Sequence, residues 1–137
     1  VKYLVDTNVI SEVRKGQRCD KSVWAWWSAV APAGIFLSVL TIGEIRKGVE
    51  NIRRRDARSA STLEGWLLQI ISHYRDQIIP IEVDIVEEWG WMSVPNQLPV
   101  IDGLIAATAK TRGLTLVTRN TADMERAGVS LLNPWLA

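Results

Sequence analysis

Four acidic residues of this 137-residue chain stand where a strand hands over to a helix, the position at which open α/β sheets bind ligands. Asp6 follows an apolar run in Val5-Asp6-Thr7-Asn8, and Glu44 lies in Leu40-Thr41-Ile42-Gly43-Glu44-Ile45. Asp102 lies in Pro99-Val100-Ile101-Asp102-Gly103-Leu104, and Asp123 follows Leu114 to Thr118 and the polar turn Arg119-Asn120-Thr121-Ala122. Each has a plain structural explanation on its own. Asp6, Asp102 and Asp123 can all be helix caps, and Thr7 and Asn8 are ordinary turn residues. Glu44 is odder, because Ile42, Ile45, Val49 and Ile52 form the buried stripe of its helix and Glu44 lies beside that stripe.

The set changes the reading. If strands one and four of a parallel sheet are adjacent, all four carboxylates converge on one edge. Two unit charges about 5 Å apart repel by roughly 3 kcal/mol at an effective dielectric of about 20, so protonation or a cation must relieve such a cluster. Oxygen ligands, with one Cys and one remote His in the chain, suit Mg²⁺ or Mn²⁺ better than zinc. A hard dication held by carboxylates suits phosphodiester hydrolysis, because it activates water and offsets charge on the phosphoryl oxygens.

The elements that must position these acids are legible from hydrophobic periodicity. Strand-length apolar runs at Tyr3 to Val5, Ile35 to Ser38, Ile78 to Ile81, Thr115 to Thr118 and Ser130 to Leu132 alternate with helical patterns. That alternation predicts an α/β sandwich, a parallel sheet covered on both faces by helices. Helices are expected at Asn8 to Lys15, Ser22 to Ala31, Thr41 to Ile52, Asp84 to Val94 and Asp102 to Arg112, with Gly113 as the C-cap of the last. Leu63, Trp66, Leu67, Ile70, Ile71 and Tyr74 form one further helical stripe.

The length fits a single domain over residues 1–137, since two cores would each bury too little surface. The net charge of +1 exerts no whole-molecule pull on nucleic acid, so any polyanion must be bound by local charge. No membrane span is expected, because Pro32-Ala33-Gly34 interrupts the uncharged stretch from Ser22 to Gly43. Val1 to Asp6 meets an acid too early for a signal peptide, and the lone Cys19, in a polar loop, is read as incidental. A reducing, cytoplasmic setting is expected.

With these residues in place, the chain resembles PIN-domain proteins of the VapC/FitB type, the toxin ribonucleases of bacterial toxin–antitoxin pairs. The resemblance rests on Leu4 to Glu12, Ser38 to Gly48, Ile101 to Ala109, and Leu116 to Asn120 followed by Asp123. It implies a PIN-like fold with a central five-stranded parallel sheet flanked by helices. It also implies that Asp6, Glu44, Asp102 and Asp123 are the catalytic, Mg²⁺- or Mn²⁺-binding residues, with Thr7, Asn8, Thr118 and Asn120 around them. The implied partners are an RNA substrate, a cognate antitoxin through which DNA is bound, and a second copy of the chain. Met124 departs from the pattern, many relatives having an aromatic residue there. A non-cleaving module that binds RNA or antitoxin within a repressor complex is the alternative, and the intact acid set argues against it. Haloacid-dehalogenase-type phosphatases need a second Asp where this chain has Asn8. Response-regulator receivers need an Asp at a central strand end and a Lys after the last strand, where Ser38-Val39 and Asn133-Pro134 stand.

Two further features bear on partners. Arg46, Lys47, Arg53, Arg54 and Arg55 belong to a locally basic stretch, read either as RNA contacts or as a solvated helix end. Among seven Trp, Trp24 and Trp27 share a helical face and are assigned to the core. Trp26 is expected to be exposed and to serve the homodimer or antitoxin interface. His73 is read as structural.

Overall fold

A computed structural model describes all residues, 1–137. Five short parallel strands, β1 (Tyr3–Val5), β2 (Ile35–Ser38), β3 (Ile78–Ile79), β4 (Thr115–Val117) and β5 (Leu131–Leu132), form one sheet in the order β3-β2-β1-β4-β5. β1 pairs with β2 on one side and with β4 on the other, in register Tyr3 to Ile35 and Tyr3 to Thr115. The adjacency of strands one and four required by the acid cluster is therefore present.

Alternation along the strands divides the core. Val5, Ile35, Leu37 and Val117 face a cluster that also holds Val9, Val23, Val49 and Leu67. Leu4 and Leu116 point the other way, into a cluster with Ile105, Ala106, Ala109 and Met124. The first face is covered by α1 (Thr7–Val13), α2 (Lys21–Ala29), α3 (Val39–Arg53) and α4 (Ala57–His73). The second is covered by α6 (Val100–Arg112) and α7 (Thr121–Met124), with α5 (Val83–Met92) laid against α6. The result is the α/β/α sandwich expected from the periodicity.

Local chemistry sets the helix limits. Asp20, Ser38 and Asp56 cap α2, α3 and α4 through their side chains. Gly113 closes α6 at φ 66°, a left-handed conformation that favours glycine, and the Leu114 N–H returns to the Ala109 carbonyl at 2.9 Å. Met124 is fully buried, so the departure from an aromatic at this position still leaves α7 anchored in the core.

Two expectations are corrected. The buried face of α2 is Val23, Trp26, Trp27 and Val30, and Trp26 lies edge-on to Tyr3 with ring centroids 5.3 Å apart. Trp24 is the exposed one, at 44%. Cys19 is also buried within the first cluster rather than lying free in a polar loop. His73 ends α4 as an exposed residue, edge-on to the Tyr74 ring.

Candidate active site at the carboxyl edge of the sheet

Asp6 ends β1 and begins α1, and it is the most constrained of the four acids. Only 4% exposed, it caps α1 by accepting the Thr7 N–H on Oδ1 at 2.8 Å. Its Oδ2 accepts the Thr118 hydroxyl at 2.8 Å and the Asn8 amide at 3.3 Å. The cap and the candidate ligand are thus the same residue, and the structural reading does not compete with the functional one.

Thr118, fully buried, is the hub that fixes this carboxylate. Its Oγ1 donates to Asp6 and accepts from the Asn8 amide at 3.4 Å and from the Asn120 N–H at 3.1 Å. Asn120 therefore contributes its backbone to this network. Asn8 closes the ring by accepting the Arg119 N–H at 3.3 Å, which ties the start of α1 to the turn after β4.

Glu44 comes from the first half of α3 and is exposed. Thr7 donates its hydroxyl to Glu44 Oε1 at 2.5 Å and lies 3.2 Å from the hydroxyl of Thr41. Thr41 is buried one turn before Glu44, and the sequence reading missed it. A threonine three residues before an acid, on the buried side of its helix, is the signal that could have found it.

Asp102 lies in the first turn of α6, where Pro99 rather than Asp102 occupies the cap position. It is half-buried and accepts no side-chain or backbone hydrogen bond apart from those of its helix. Gly103 beside it has a steric reason: a Cβ there would stand 3.0 Å from Trp89 Cδ1 and 3.1 Å from Trp89 Nε1. The indole of α5 thus packs flush on the turn that carries Asp102. Asp123 lies exposed in the first turn of α7, again not as its cap.

Electrostatics links the four. Burial pushes the Asp6 carboxyl above its usual range; the bonds from Thr118 and Thr7 oppose this, and the charges of Asp102 and Glu44 add to it. Asp102 is raised by burial and then by Glu44 and Asp123. Of these two, only Asp102 is acted on by Asp123. No three of the carboxylates close into a group tight enough to hold an ion as they stand. In kind, the donors fit a hard divalent cation: all are carboxylate oxygens, two have raised affinity for positive charge, and two lie on exposed side chains.

The basic candidates divide. Arg46 is bound to Glu50 at 3.0 Å and to Glu64 at 2.6 Å, and Arg53 to the same two acids at 3.0 and 3.2 Å. Through Glu64 these two residues fasten α3 to α4. Lys47, Arg54 and Arg55 carry no ion pair, and Lys47 lines a cleft of about 480 Å³ with Glu44, Asn51 and Ile101.

Comparison with known proteins places the chain. Residues 3–129 match the PIN domain family model. The VapC ribonuclease Y4jK of Sinorhizobium fredii is 31% identical, covering 96% of this chain and 96% of its own. Toxin FitB of Neisseria gonorrhoeae is also 31% identical, covering 96% of this chain and 97% of its own. A chain in the solved structure of FitAB bound to an IR36 DNA fragment superposes with a TM-score of 0.87 at 29% identity, covering 97% of this chain and 95% of that one. A strand order that sets β1 beside β4, four acids on that edge and full-length similarity of this kind lead to one conclusion: the chain belongs to the PIN-domain family, among its VapC/FitB-type members.

Proposed function

We propose that the protein is an endoribonuclease toxin of a toxin–antitoxin pair, which hydrolyses phosphodiester bonds of RNA at the carboxyl edge of its sheet. The observation that carries this reading is the joining of Asp6, Glu44, Asp102 and Asp123 from four separate segments into one electrostatic group, in a chain similar throughout its length to a VapC ribonuclease.

Asp6, Glu44, Asp102 and Asp123 would hold Mg²⁺ or Mn²⁺. When bound, such an ion supplies Lewis-acid chemistry: it offsets negative charge on the phosphoryl oxygens and makes water a competent nucleophile near neutral pH. The chain's own residues do the positioning. Three donors from Thr7, Asn8 and Thr118 fix the Asp6 carboxylate, so its orientation is set before substrate arrives. Thr7 steers Glu44 by one hydrogen bond and leaves the rest of that exposed side chain free to turn. Asp102 and Asp123 accept no such bonds and keep their oxygens available.

The partner is a small antitoxin protein, through which DNA is bound, as in the relative solved as FitAB on DNA. A second copy of the chain is the other proposed partner. Exposed apolar residues on and after α5, Val83 (81%), Trp91 (78%) and Val94 (77%), give it a surface, in place of Trp26.

The test is cleavage of single-stranded RNA by the purified protein with Mg²⁺ or Mn²⁺, beside Asp6→Asn. The expected result is cleavage that EDTA abolishes and the variant lacks. RNA left intact over a broad substrate panel, with antitoxin removed, would favour the non-cleaving module instead.

A further inference from the structure

Two arginines linked to the acid site each lie over a tryptophan ring. Arg14, just past α1, has its guanidinium carbon 5.5 Å from the centre of the Trp66 ring. Arg119, just past β4, has its own 4.7 Å from the centre of the Trp135 ring. Neither is ion-paired, whereas Lys15, Arg46, Arg53, Lys110 and Arg112 all are.

Both are tied to the proposed centre. Thr7, Ser11 and Arg14 lie along one face of α1 and line a cavity of about 200 Å³ with Glu44 and Trp66. Arg119 donates its backbone N–H to Asn8, which itself donates to Asp6. Its carbonyl accepts the Asn133 amide at 3.5 Å, and Asn133 in turn accepts the Trp135 N–H at 3.0 Å, so one turn seats both the arginine and its aromatic platform. The Arg119 charge acts weakly on Glu12, whose oxygens are already taken by Lys15 and the Asp20 N–H, each at 2.8 Å.

A guanidinium held over an indole ring is positioned by the cation–π attraction and keeps N–H donors for bidentate contact to an oxyanion. Two such groups, one lining a cavity with Glu44 and one tied through Asn8 to Asp6, present positive charge to a polyanion reaching the centre. We propose that Arg14 and Arg119 hold RNA phosphates on either side of the bond at the acid site, an inference that rests on the ribonuclease reading above.

The test is binding of a fluorescein-labelled, mixed-sequence single-stranded RNA, followed by anisotropy over a range of NaCl in Mg²⁺. The full chain carries Asp102→Asn to prevent cleavage. Arg14→Gln and Arg119→Gln should each lower the slope of log affinity against log salt by about 0.7, the value for one phosphate contact on a single strand. Each should also weaken binding by about tenfold, and the double variant should lose about 1.4 in slope. Arg14→Lys and Arg119→Lys should keep the slope while losing part of the affinity, because charge remains and the stacked fork does not. Arg75→Gln, before β3 at the opposite edge of the sheet, should change neither. A lost platform or loosened turn would alter melting temperature but not the salt slope. If RNA binds and the Arg14 and Arg119 variants keep the parental slope, or if only Arg54→Gln and Arg55→Gln reduce it, this inference is overturned and the ribonuclease reading stands. If RNA does not bind at all, both fall.

Discussion

Asp102→Asn isolates the electrostatic strain of the acid centre, because Asp102 accepts no hydrogen bond that an amide would disturb, unlike Asp6, which caps α1 and takes three. The substitution removes one negative charge that faces Glu44, Asp123 and Asp6. Across a partly solvated pocket with an effective dielectric of about 40, each carboxylate pair several ångströms apart costs about 1 kcal/mol. Asp102→Asn should therefore stabilise the metal-free protein by about 1–2 kcal/mol, or about 3–6 °C for a chain of this size. The sign with pH follows from the raised position of Asp102. The protonated carboxyl's contribution to stability is fully present below the unfolded value, about 3.9, and is lost as pH rises through the higher folded value. The gap between variant and wild type should thus vanish in acid and open toward neutrality. Mg²⁺ should reverse the order. An ion at about 100 times its dissociation constant adds about 2.7 kcal/mol to the wild type, and much less to a variant missing a ligand. Thermal melts in EDTA and in Mg²⁺, from acid to neutral pH, measure all three terms. A variant less stable than wild type in EDTA, or an equal Mg²⁺-induced rise in both, would refute the account.

Other substitutions test the supports of the site. Thr118→Val leaves the Asp6 carboxylate and the Asn120 N–H each short of one partner and should cost about 2–3 kcal/mol in urea unfolding, with Thr118→Ser restoring most of it. Gly103→Ala places a methyl against Trp89 and should destabilise by about 1–3 kcal/mol. Combining it with Trp89→Leu should cost less than the sum of the two, and additivity would show that the contact is not the cause. Trp26→Ala should cost about 2–4 kcal/mol and Trp24→Ala less than about 0.5, which equilibrium unfolding compares directly.

How much was legible depends on the range of the information. β1 and β2 match their expected limits because apolar runs bounded by Asp6, or by the Pro32-Ala33-Gly34 break and the Ser38 cap, are local signals. The convergence of the acids was conditional on β1 lying beside β4, a pairing between distant segments that only the folded sheet shows. The Trp24 and Trp27 pairing failed through phase: both are on one helical face, but so are Val23 with Trp27 and Trp26 with Val30, and only packing on Tyr3 decides between the faces. The ion pairs of Arg46 and Arg53 could not be read locally, because Glu64, which accepts from both, lies on the next helix. Thr41 and the Trp89 to Gly103 contact were hidden for the same reason, since each acquires its role only when two helices meet.

The four acids are not equivalent, and the difference explains how one edge can be both rigid and responsive. Asp6 is buried, capped and triply bonded, and burial first, with the charges of Asp102 and Glu44 adding to it, holds its carboxyl above the usual range. Glu44 and Asp123 are exposed, and their charges are screened by solvent. Asp102 lies between the two cases, fixed by the packing of its turn on Trp89 but unbonded at its oxygens. On the proposed reading, a fixed acceptor beside more exposed ones would hold its orientation without a counter-charge and let the others close on a cation. Four carboxylates all bonded as Asp6 is would carry their mutual repulsion permanently, and four as free as Glu44 would fix no orientation for the reacting phosphate.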